Sequence, residues 1–465
     1  MSHVSHNVRG RKVLVAGLGL HGGGVSVARW LCRHGAQVTV TDLKTRSQLA
    51  VAIQQLKGLN IDYVVGRHRV KDFTSTQMII QNPGFSYNSR YLAAARRAGV
   101  PIENEASLFF AECPAPILGV TGTRGKSTTA ALLTKLLRDR HRKVWLVGNI
   151  RTNPMLSIVD RVGKNDLVVV ELSSFQLETL GRKKLSPHVA VVTNLLPDHL
   201  NRYATVSAYQ KAKRAIVANQ QEHDVAVLNL DDKQVLAFQK STLATPYFFS
   251  QKVFSKSNGA FVRGGKIFLR RRGQTKFIIS ASQLGIRGEH NLANALAALA
   301  AAGVYTENLV QLRDRLRRWP GLPDRFETVR VVRGVTYIND TTASTPDATM
   351  AALKTLWTSV KTKRVILIAG GSDKRIPRQK FVALGKLMRQ TCKATILFDG
   401  PGSKNIIPAG QVVTGVQAMS EAVGIASQFA KPGDVVLLSP ACASFSNFVN
   451  EFDRGGQFRT FVKQL

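Results

Sequence analysis

Residues 117–129 read I-L-G-V-T-G-T-R-G-K-S-T-T, an apolar run that leads into glycines, a lysine and several hydroxyl side chains. Glycines at 122 and 125 allow the backbone to turn so that several N–H groups converge on phosphate oxygens, and a helix that begins here adds its positive end. Lys126 can then contact the β- and γ-phosphates, and Ser127 a magnesium ion. The segment therefore predicts a phosphate-binding loop, although Val120 stands where the usual motif has its first glycine.

Polar residues follow two further apolar runs of the same region. Glu171 comes directly after residues 168–170, and Asp198 and His199 follow residues 189–193. The carboxyl ends of parallel strands meet at one edge of a sheet, where open α/β sheets bind their ligands. Because Mg²⁺ prefers carboxylate, water and phosphate oxygens, Glu171 is a candidate metal or γ-phosphate contact. His199 is a candidate ligand or acid–base group at the same edge.

The amino-terminal region predicts a second nucleotide-type site. A buried-type strand at 12–17 leads into the spacing G-x-G-x-x-G and a helix, and a second strand at 37–41 ends at Asp42. An acidic residue at that place commonly holds a ribose hydroxyl. Asn82 and Gly84 form a turn after another strand end, at 78–81. This fingerprint fits a dinucleotide oxidoreductase as well as any other nucleotide binder.

The elements that carry these residues predict an α/β protein of three domains. A length of 465 residues suits about three domains of ordinary size. Strands alternate with helices throughout, which indicates mostly parallel sheets. We predict an N-terminal Rossmann-like domain over 1–104, a central phosphate-loop domain over 105–321 and a C-terminal Rossmann-like α/β domain over 322–465. The proline-rich segment 101–116 is interpreted as the first linker, and residues after 231 as irregular with short β-like pieces.

The composition is unusually basic. The chain has 65 Lys+Arg against 29 Asp+Glu, a formal net charge of +36. The basic runs lie in different elements and are not interleaved with aromatic residues, as a base-stacking surface requires. We expect a basic surface that attracts polyanionic substrates, with no dedicated nucleic-acid function. We also expect a cytoplasmic protein without membrane insertion, since the apolar runs are short and the four cysteines are scattered.

Three α/β units, each with a glycine turn at a strand end, suggest that one binds a nucleotide-like substrate, one ATP and one a third reactant. Assembling three reactants is the task of an ATP-dependent ligase, and their orientation supplies much of the rate. Two other classes remain open. A nicotinamide-dependent oxidoreductase leaves Lys126 and Glu171 unexplained, and a nucleic-acid-dependent ATPase needs clustered basic residues.

An ordered set of motifs along the whole chain resembles the Mur ligase family. The motifs are T-G-T-R-G-K-S-T, E-L-S-S-F-Q-L-E, T-N-L-L-P-D-H-L-N-R-Y, H-N-L-A-N-A-L-A-A, L-P-D-R-F-E, N-D-T-T-A-S-T-P and L-L-S-P-A-C-A-S-F. The resemblance implies a cytoplasmic ligase of peptidoglycan precursor synthesis that uses ATP and two Mg²⁺ sites. It is strongest to the D-glutamate-adding members, and implies UDP-N-acetylmuramoyl-L-alanine and D-glutamate as substrates and a monomeric enzyme. A sister ligase with another amino acid or acceptor is the alternative.

The resemblance also implies roles for individual residues. Lys126, Glu171, His199 and Lys213 would be catalytic, and Lys213 would be carbamylated so that it joins Ser127, Glu171 and His199 as a metal ligand. ATP would be bound by Gly122, Thr123, Arg124, Gly125, Lys126, Ser127, Thr128, Asn291, Asn294, Arg325 and Asp340. The UDP substrate would be bound by Leu20, His21, Asp42, Leu43, Asn82, Gly84 and Asn149. The amino acid would be bound by Lys374, Ser444 and Phe445.

Two residues depart from the family pattern near the expected amino-acid site. Thr342 stands where well-known D-glutamate-adding members have a lysine, and Asp324 stands where they often have a histidine. The first change removes a cation close to the expected amino-acid and γ-phosphate sites.

Overall fold

The computed structural model describes residues 8–20, 22–149, 153–198, 202–255, 257–360 and 364–465, without the side chains of 358–360. The chain forms two compact units, one comprising residues 1–283 and 293–316 and the other 284–292 and 317–465. The described part contains no helix that is both long and apolar enough to cross a membrane.

The first sheet of the larger unit is fully parallel, with the strand order β3-β2-β1-β4-β5. Its strands are β1 (Lys12–Ala16), β2 (Gln37–Asp42), β3 (Ile61–Val65), β4 (Met78–Gln81) and β5 (Ile102–Glu103). The helices of this region are α1 (Gly23–Arg33), α2 (Ala50–Gln54), α3 (Val70–Thr74) and α4 (Arg90–Arg97). The predicted strand–glycine turn–helix opening is confirmed.

The second sheet of this unit has the order β14-β13-β12-β11-β10-β9-β6-β8-β7, and all its pairs are parallel except β12–β13 and β13–β14, which are antiparallel. Its strands are β6 (Ile117–Thr121), β7 (Val144–Gly148), β8 (Leu167–Glu171), β9 (Val189–Val192), β10 (Val225–Asn229), β11 (Thr245–Ser250), β12 (Asn258–Arg263), β13 (Lys266–Arg271) and β14 (Gln274–Ser280). The helices that follow in the chain are α5 (Glu105–Glu112), α6 (Lys126–Leu137), α7 (Ser174–Arg182), α8 (Val206–Arg214), α9 (Lys233–Leu236), α10 (Glu289–Ala302) and α11 (Leu309–Arg318).

Two sequence-based interpretations of this unit are wrong. The segment 101–116 is not a plain linker, because it contains β5 and α5, and Leu108 and Phe109 of α5 lie in the core that both sheets share. A capping box between Asn104 and Ser107 starts α5, so the flanking prolines mark the ends of a helix. The region after 231 is also more regular than expected, since β12 and β14 complete the edge of the sheet.

The third sheet lies in the smaller unit and has the order β15-β16-β20-β17-β18-β19. Its strands are β15 (Glu327–Val332), β16 (Val335–Asn339), β17 (Val365–Gly370), β18 (Cys392–Phe398), β19 (Gln411–Val416) and β20 (Val435–Leu438), and its helices are α12 (Pro346–Val360), α13 (Arg378–Thr391), α14 (Met419–Phe429) and α15 (Glu451–Gln464). Alternate residues of β17 enter two separate cores, Leu367 one and Ile366 the other. The continuous apolar run of this strand therefore reflects burial on both faces.

Candidate active site

The phosphate loop connects β6 to α6 and depends on two glycines. Gly122 and Gly125 have φ angles of 149° and 81°, in the region that side chains rarely adopt. A Cβ on Gly122 would lie 1.9 Å from Oγ1 of Thr193, and one on Gly125 would lie 2.1 Å from Oδ1 of Asn294. Both positions therefore require glycine for the backbone angle and for space. Asn294, which was predicted to contact ATP, thus lies directly against the phosphate loop.

The loop that follows β9 holds the phosphate loop in place. Asn194 Oδ1 accepts a hydrogen bond from the Arg124 N–H at 2.9 Å, and its Nδ2 donates to the Arg124 carbonyl at 3.1 Å. Thr123 Oγ1 lies 3.1 Å from both the Leu196 carbonyl and the hydroxyl of Tyr209. Asn194 and Tyr209 were not predicted as site residues, although Asn194 belongs to the motif at the end of β9.

Lys126 lies over the loop, where a bound phosphate would need a cation. Its Nζ donates to the carbonyls of Gly122 and Thr123, each at 3.1 Å. Ser127 is half-buried and Thr128 buried in the first turn of α6. The arrangement matches that expected of a nucleotide-binding loop, with backbone N–H groups, a helix N-terminus and a lysine at one place.

Glu171 ends β8 beside this loop and is almost fully buried. Its Oε1 accepts a hydrogen bond from Asn149 Nδ2 at 3.3 Å, whereas its Oε2 is buried with no hydrogen-bond partner among the described residues. A buried carboxylate oxygen without a partner is costly, and a divalent cation would satisfy it. Glu171 therefore fits a magnesium ligand. The described residues contain no cluster of three or more His, Cys, Asp or Glu side chains that could hold a metal alone, so phosphate oxygens and Ser127 would have to contribute.

Lys213 lies on α8 with its amine buried beneath the phosphate loop. Its Nζ donates to the Gly122 carbonyl at 2.8 Å and lies 3.4 Å from Thr121 Oγ1. Burial lowers the pKa of Lys213 well below its ordinary value, the charge of Lys126 lowers it further, and Asp198 and Glu171 oppose the shift. Burial therefore favours the neutral amine over the ammonium form, and the neutral amine is the form that reacts with carbon dioxide. His199 lies outside the described residues, so its predicted role stays a prediction.

The residues predicted to bind the UDP substrate surround the glycine turn after β1. Asp42 is buried, and its Oδ2 accepts the N–H groups of Leu18 and Gly19 at 3.0 and 3.1 Å. Asp42 therefore fixes the turn, whatever ligand it also contacts. Asn82 contacts the same turn and bonds the Gly84 N–H at 3.2 Å.

The side chains of Leu20 and Leu43 are exposed beside this turn. His21 lies outside the described residues.

Arg202 connects this region with helix α7 and was not predicted as a site residue. Its Nη1 donates to the Pro83 carbonyl at 2.7 Å, its Nη2 lies 3.5 Å from the Glu178 carboxylate, and its guanidinium lies 4.0 Å from the centre of the Phe175 ring. Pro83 stands between Asn82 and Gly84. The contact therefore places the loop of the predicted UDP site next to the motif that follows β9, and Arg202 belongs to that motif.

The smaller unit contains the remaining predicted ATP contacts. Asp340 accepts hydrogen bonds from the Phe326 N–H at 3.1 Å and the Ser439 hydroxyl at 3.0 Å. Burial raises the pKa of Asp340 to about 7, although both hydrogen bonds and the charge of Arg325 act in the opposite direction. Asn291 is buried and bonds the Arg287 carbonyl at 2.9 Å.

The predicted amino-acid residues lie in three loops that meet in the smaller unit. Lys374 Nζ donates to Ser344 Oγ at 2.6 Å, and Ala441 N donates to the Ala343 carbonyl at 2.9 Å. Backbone bonds between Ser372 and Ala443 bring the chain before Ser444 and Phe445 to the same place. Ser444 is buried and Phe445 is exposed. Lys374 Nζ is therefore held at Ser344, which stands two residues along the chain from Thr342, where the family lysine is missing.

Arg454 of α15 supports these loops and was not predicted. The side chain is fully buried, and it donates to Oγ1 and the carbonyl of Thr341, both at 2.9 Å. Burial lowers its pKa to about 10. Only the folded chain brings Arg454 to Thr341, so no local pattern in the sequence could have indicated the contact.

Family models match most of the chain, in the order of the three sheets. They are the Mur ligase MurD-like N-terminal domain over residues 11–104, the Mur ligase middle domain over 120–302 and the Mur ligase glutamate ligase domain over 324–442. The chain belongs to the Mur ligase family. The resemblance drawn from the motifs is thereby confirmed.

The relatives of this Mur ligase match over its full length. The UDP-N-acetylmuramoylalanine–D-glutamate ligase of Roseiflexus sp. is 40% identical, with 98% of this chain and 99% of that protein covered. The ligase of the same name from Symbiobacterium thermophilum is 36% identical, with 98% of each covered. The solved structure of UDP-N-acetylmuramate-alanine ligase MurC from Thermotoga maritima has a TM-score of 0.61 at 20% identity, covering 98% of this chain and 99% of that one, and shows the same fold.

Proposed function

We propose that this Mur ligase joins D-glutamate to UDP-N-acetylmuramoyl-L-alanine at the expense of ATP, in cytoplasmic synthesis of the peptidoglycan precursor. Two proteins named UDP-N-acetylmuramoylalanine–D-glutamate ligase are 40% and 36% identical to the chain, and each match covers 98% of it. The observation that carries the chemistry is the buried Glu171 carboxylate, one oxygen of which has no hydrogen-bond partner in the described part of the chain, beside a phosphate loop. We further propose that the enzyme acts as a monomer with the domain limits 1–104, 105–321 and 322–465.

The reaction has two steps. The acceptor carboxylate attacks the γ-phosphorus of ATP, so an acyl phosphate forms and ADP leaves. The amine of D-glutamate then attacks the acyl carbon, and the tetrahedral intermediate expels phosphate and loses the amine proton to give the amide. Mg²⁺ would neutralise the charge on the phosphate oxygens. Orientation of the reactants supplies much of the rate, because it lowers the activation barrier by about 7–11 kcal/mol in well-aligned cases.

The phosphate loop would bind and orient ATP. Backbone N–H groups of the loop and of the first turn of α6 would bind the phosphates, apart from those of Thr123 and Arg124, which donate to Asn194. Lys126 would move from the carbonyls of Gly122 and Thr123, 3.1 Å away, to the phosphate oxygens. Asn194 keeps the loop in this shape through its two bonds to Arg124. Asn294 lies against Gly125, where it would contact the nucleotide.

Glu171 and Ser127 would hold one magnesium ion, and His199 with a carbamylated Lys213 a second. Carbamylation replaces the buried amine of Lys213 by a carboxylate, which requires the neutral form of the side chain. Burial favours that form, and the resulting anion would gain from Lys126 nearby. A Lys213→Ala variant is expected to lose activity and to recover part of it when a short carboxylate is added, whereas a variant that keeps full activity would contradict carbamylation.

The amino-acid site would be formed by Lys374, Ser444 and Phe445. Lys374 holds a cation near the segment of Thr342, since its Nζ donates to Ser344 Oγ at 2.6 Å. A carboxylate of D-glutamate would pair with this ammonium group.

Release of phosphate tests the whole proposal. Purified enzyme with ATP, Mg²⁺ and UDP-N-acetylmuramoyl-L-alanine is given D-glutamate, L-glutamate, L-alanine, L-lysine or meso-diaminopimelate, and the amide product is identified by mass. D-glutamate alone is expected to stimulate release. Stimulation by another amino acid with none by D-glutamate would contradict the specificity and favour a sister ligase. Release without any amino acid, or driven by nucleic acid, would contradict the ligase chemistry.

A further inference from the structure

A cavity lies at the amino ends of β6 and β8, on the opposite side of the second sheet from the phosphate loop. It has a volume of about 390 Å³ and is lined by Pro116, which precedes β6, by Leu167 at the start of β8 and by Leu136 at the end of α6. Helix α6 has 12 residues and begins at the phosphate loop. At 1.5 Å per residue it separates the cavity from that loop by roughly 18 Å. The cavity is therefore distinct from the ATP site.

The lining of this cavity is rich in cations that come from separate segments. Arg138 and Arg142 follow α6, Lys164 lies in the turn before β8, and Arg315 lies on α11. Arg315 has a structural task, since its Nη1 donates to the Leu136 carbonyl at 2.7 Å. The other three form no ion pair with any residue of the described ranges.

The acidic residues of the lining do not balance these charges. The lining holds two carboxylates, Asp139 and Asp166, against four Arg and Lys cations, so two positive charges are not offset. Asp166 is held in place, because its Oδ2 accepts hydrogen bonds from Trp145 Nε1 at 2.8 Å and from the Gly163 N–H at 2.9 Å. Asp139 raises the pKa of Arg315, but burial and the positive charge of Arg138 lower it. Arg138, Arg142 and Lys164 are exposed at the rim of the cavity, so a bound anion would meet three cations from two segments of the chain.

We propose that this cavity binds a small oxyanion that carries at least two negative charges. Its volume falls in the range of small-molecule sites, about 300–1,000 Å³. Guanidinium groups bind phosphate and carboxylate oxygens through paired hydrogen bonds, and a dianion would offset the mutual repulsion of the cations. The site uses no residue of the ATP, UDP or amino-acid sites, so it stands independently of the proposed function.

Hydrogen–deuterium exchange of the whole enzyme, read by mass spectrometry at physiological salt, locates the bound anion. Pyrophosphate and citrate are titrated separately, and protection is followed in peptides that cover 138–143 and 163–167. Saturable protection of these peptides by either anion is expected. The anion that protects them at the lower concentration shows whether phosphate or carboxylate chemistry is preferred. Protection confined to the phosphate-loop peptides, or no protection, would overturn the proposal.

A pair of double variants separates the cavity from the general positive charge of the protein. Arg142→Ser with Lys164→Ser removes two exposed cations of the lining, and Lys386→Ser with Arg389→Ser removes two exposed cations of α13. The cavity variant is expected to weaken the anion titration by at least about tenfold, as loss of one charged hydrogen bond would do. The α13 variant is expected to change it less than about twofold. Equal weakening in both would show unspecific attraction and overturn the proposal.

Discussion

Replacement of Gly148 by alanine tests whether the pairing of β7 with β8 at their carboxyl ends, where Gly148 lies opposite Glu171, positions the Glu171 carboxylate. Gly148 has a φ angle of 114° and pairs with Glu171, and an added Cβ would lie 2.3 Å from the Glu171 carbonyl oxygen and 2.8 Å from its nitrogen. These are backbone atoms, so no side chain can rotate away. The two strands must separate, and the bonds from Asn149 N to Glu171 O at 2.9 Å and from Asn149 Nδ2 to Glu171 Oε1 at 3.3 Å would break.

The cost has two parts. The backbone conformation costs about 1–3 kcal/mol for a residue with a side chain. Two lost hydrogen bonds add about 0.5–1.5 kcal/mol each, which gives a total of about 2–6 kcal/mol. Activity is expected to fall about 100-fold, since displacement of a catalytic group by about 1 Å has that effect. We expect a lower midpoint of unfolding and a lower rate of phosphate release.

Gly99→Ala is the matched control. Gly99 is exposed with a φ angle of 70°, and an added Cβ there would meet no atom within 4 Å. It is expected to cost only the backbone strain, about 1–2 kcal/mol, and to leave activity unchanged. Urea unfolding followed by circular dichroism and phosphate release measured on the same preparations compare the two variants. If Gly148→Ala is no less stable than Gly99→Ala and keeps its activity, the close approach at Glu171 does not position the carboxylate.

Three further predictions follow from single contacts. Arg202→Ala removes the donor to the Pro83 carbonyl, and is expected to raise KM for the UDP substrate at least about tenfold with KM for ATP nearly unchanged; equal changes in both would contradict a role at the UDP loop. Lys374→Ala removes the cation beside Ser344 and is expected to raise KM for the amino acid by a similar factor in steady-state assays, and an unchanged KM would exclude it from that site. Asp340 has a pKa raised from 3.8 to about 7, so the folded protein holds a proton that the unfolded chain loses, and stability should decrease as pH rises from about 4 to about 7. Asp340→Asn should remove that decrease from thermal unfolding curves measured across the range, and an identical slope in both proteins would contradict it.

Much of the fold could be predicted because its strands are short apolar runs followed by polar residues. The runs before Thr121, Glu171 and Thr193 became β6, β8 and β9, and the structure brings their carboxyl ends together as expected for parallel strands. Lys213 was placed through the family resemblance, and its amine does lie 2.8 Å from the Gly122 carbonyl. Its metal-binding role stays a prediction.

What the sequence did not reveal depends on contacts between distant segments. Nothing near Arg454 indicates that it bonds Thr341, more than a hundred residues earlier, and nothing near Arg202 indicates the Pro83 carbonyl. Helix α5 was missed for another reason. Prolines on both sides indicate an irregular chain, whereas the helix between them is fixed by its cap at Asn104 and by burial of Phe109.

The two departures from the family pattern are connected through one buried network. Asp324, which replaces a common histidine, has a φ angle of 67°, and its Oδ1 accepts hydrogen bonds from Asn339 Nδ2 at 2.9 Å and Arg459 Nη1 at 2.7 Å. Its carbonyl accepts a bond from the hydroxyl of Thr342 at 3.0 Å. This bond ends on the main chain of residue 324, so it links the two positions without depending on the aspartate side chain. Since Lys374 lies close by, the charge lost at 342 need not be lost from the amino-acid site, and the departures are compatible with D-glutamate as the substrate.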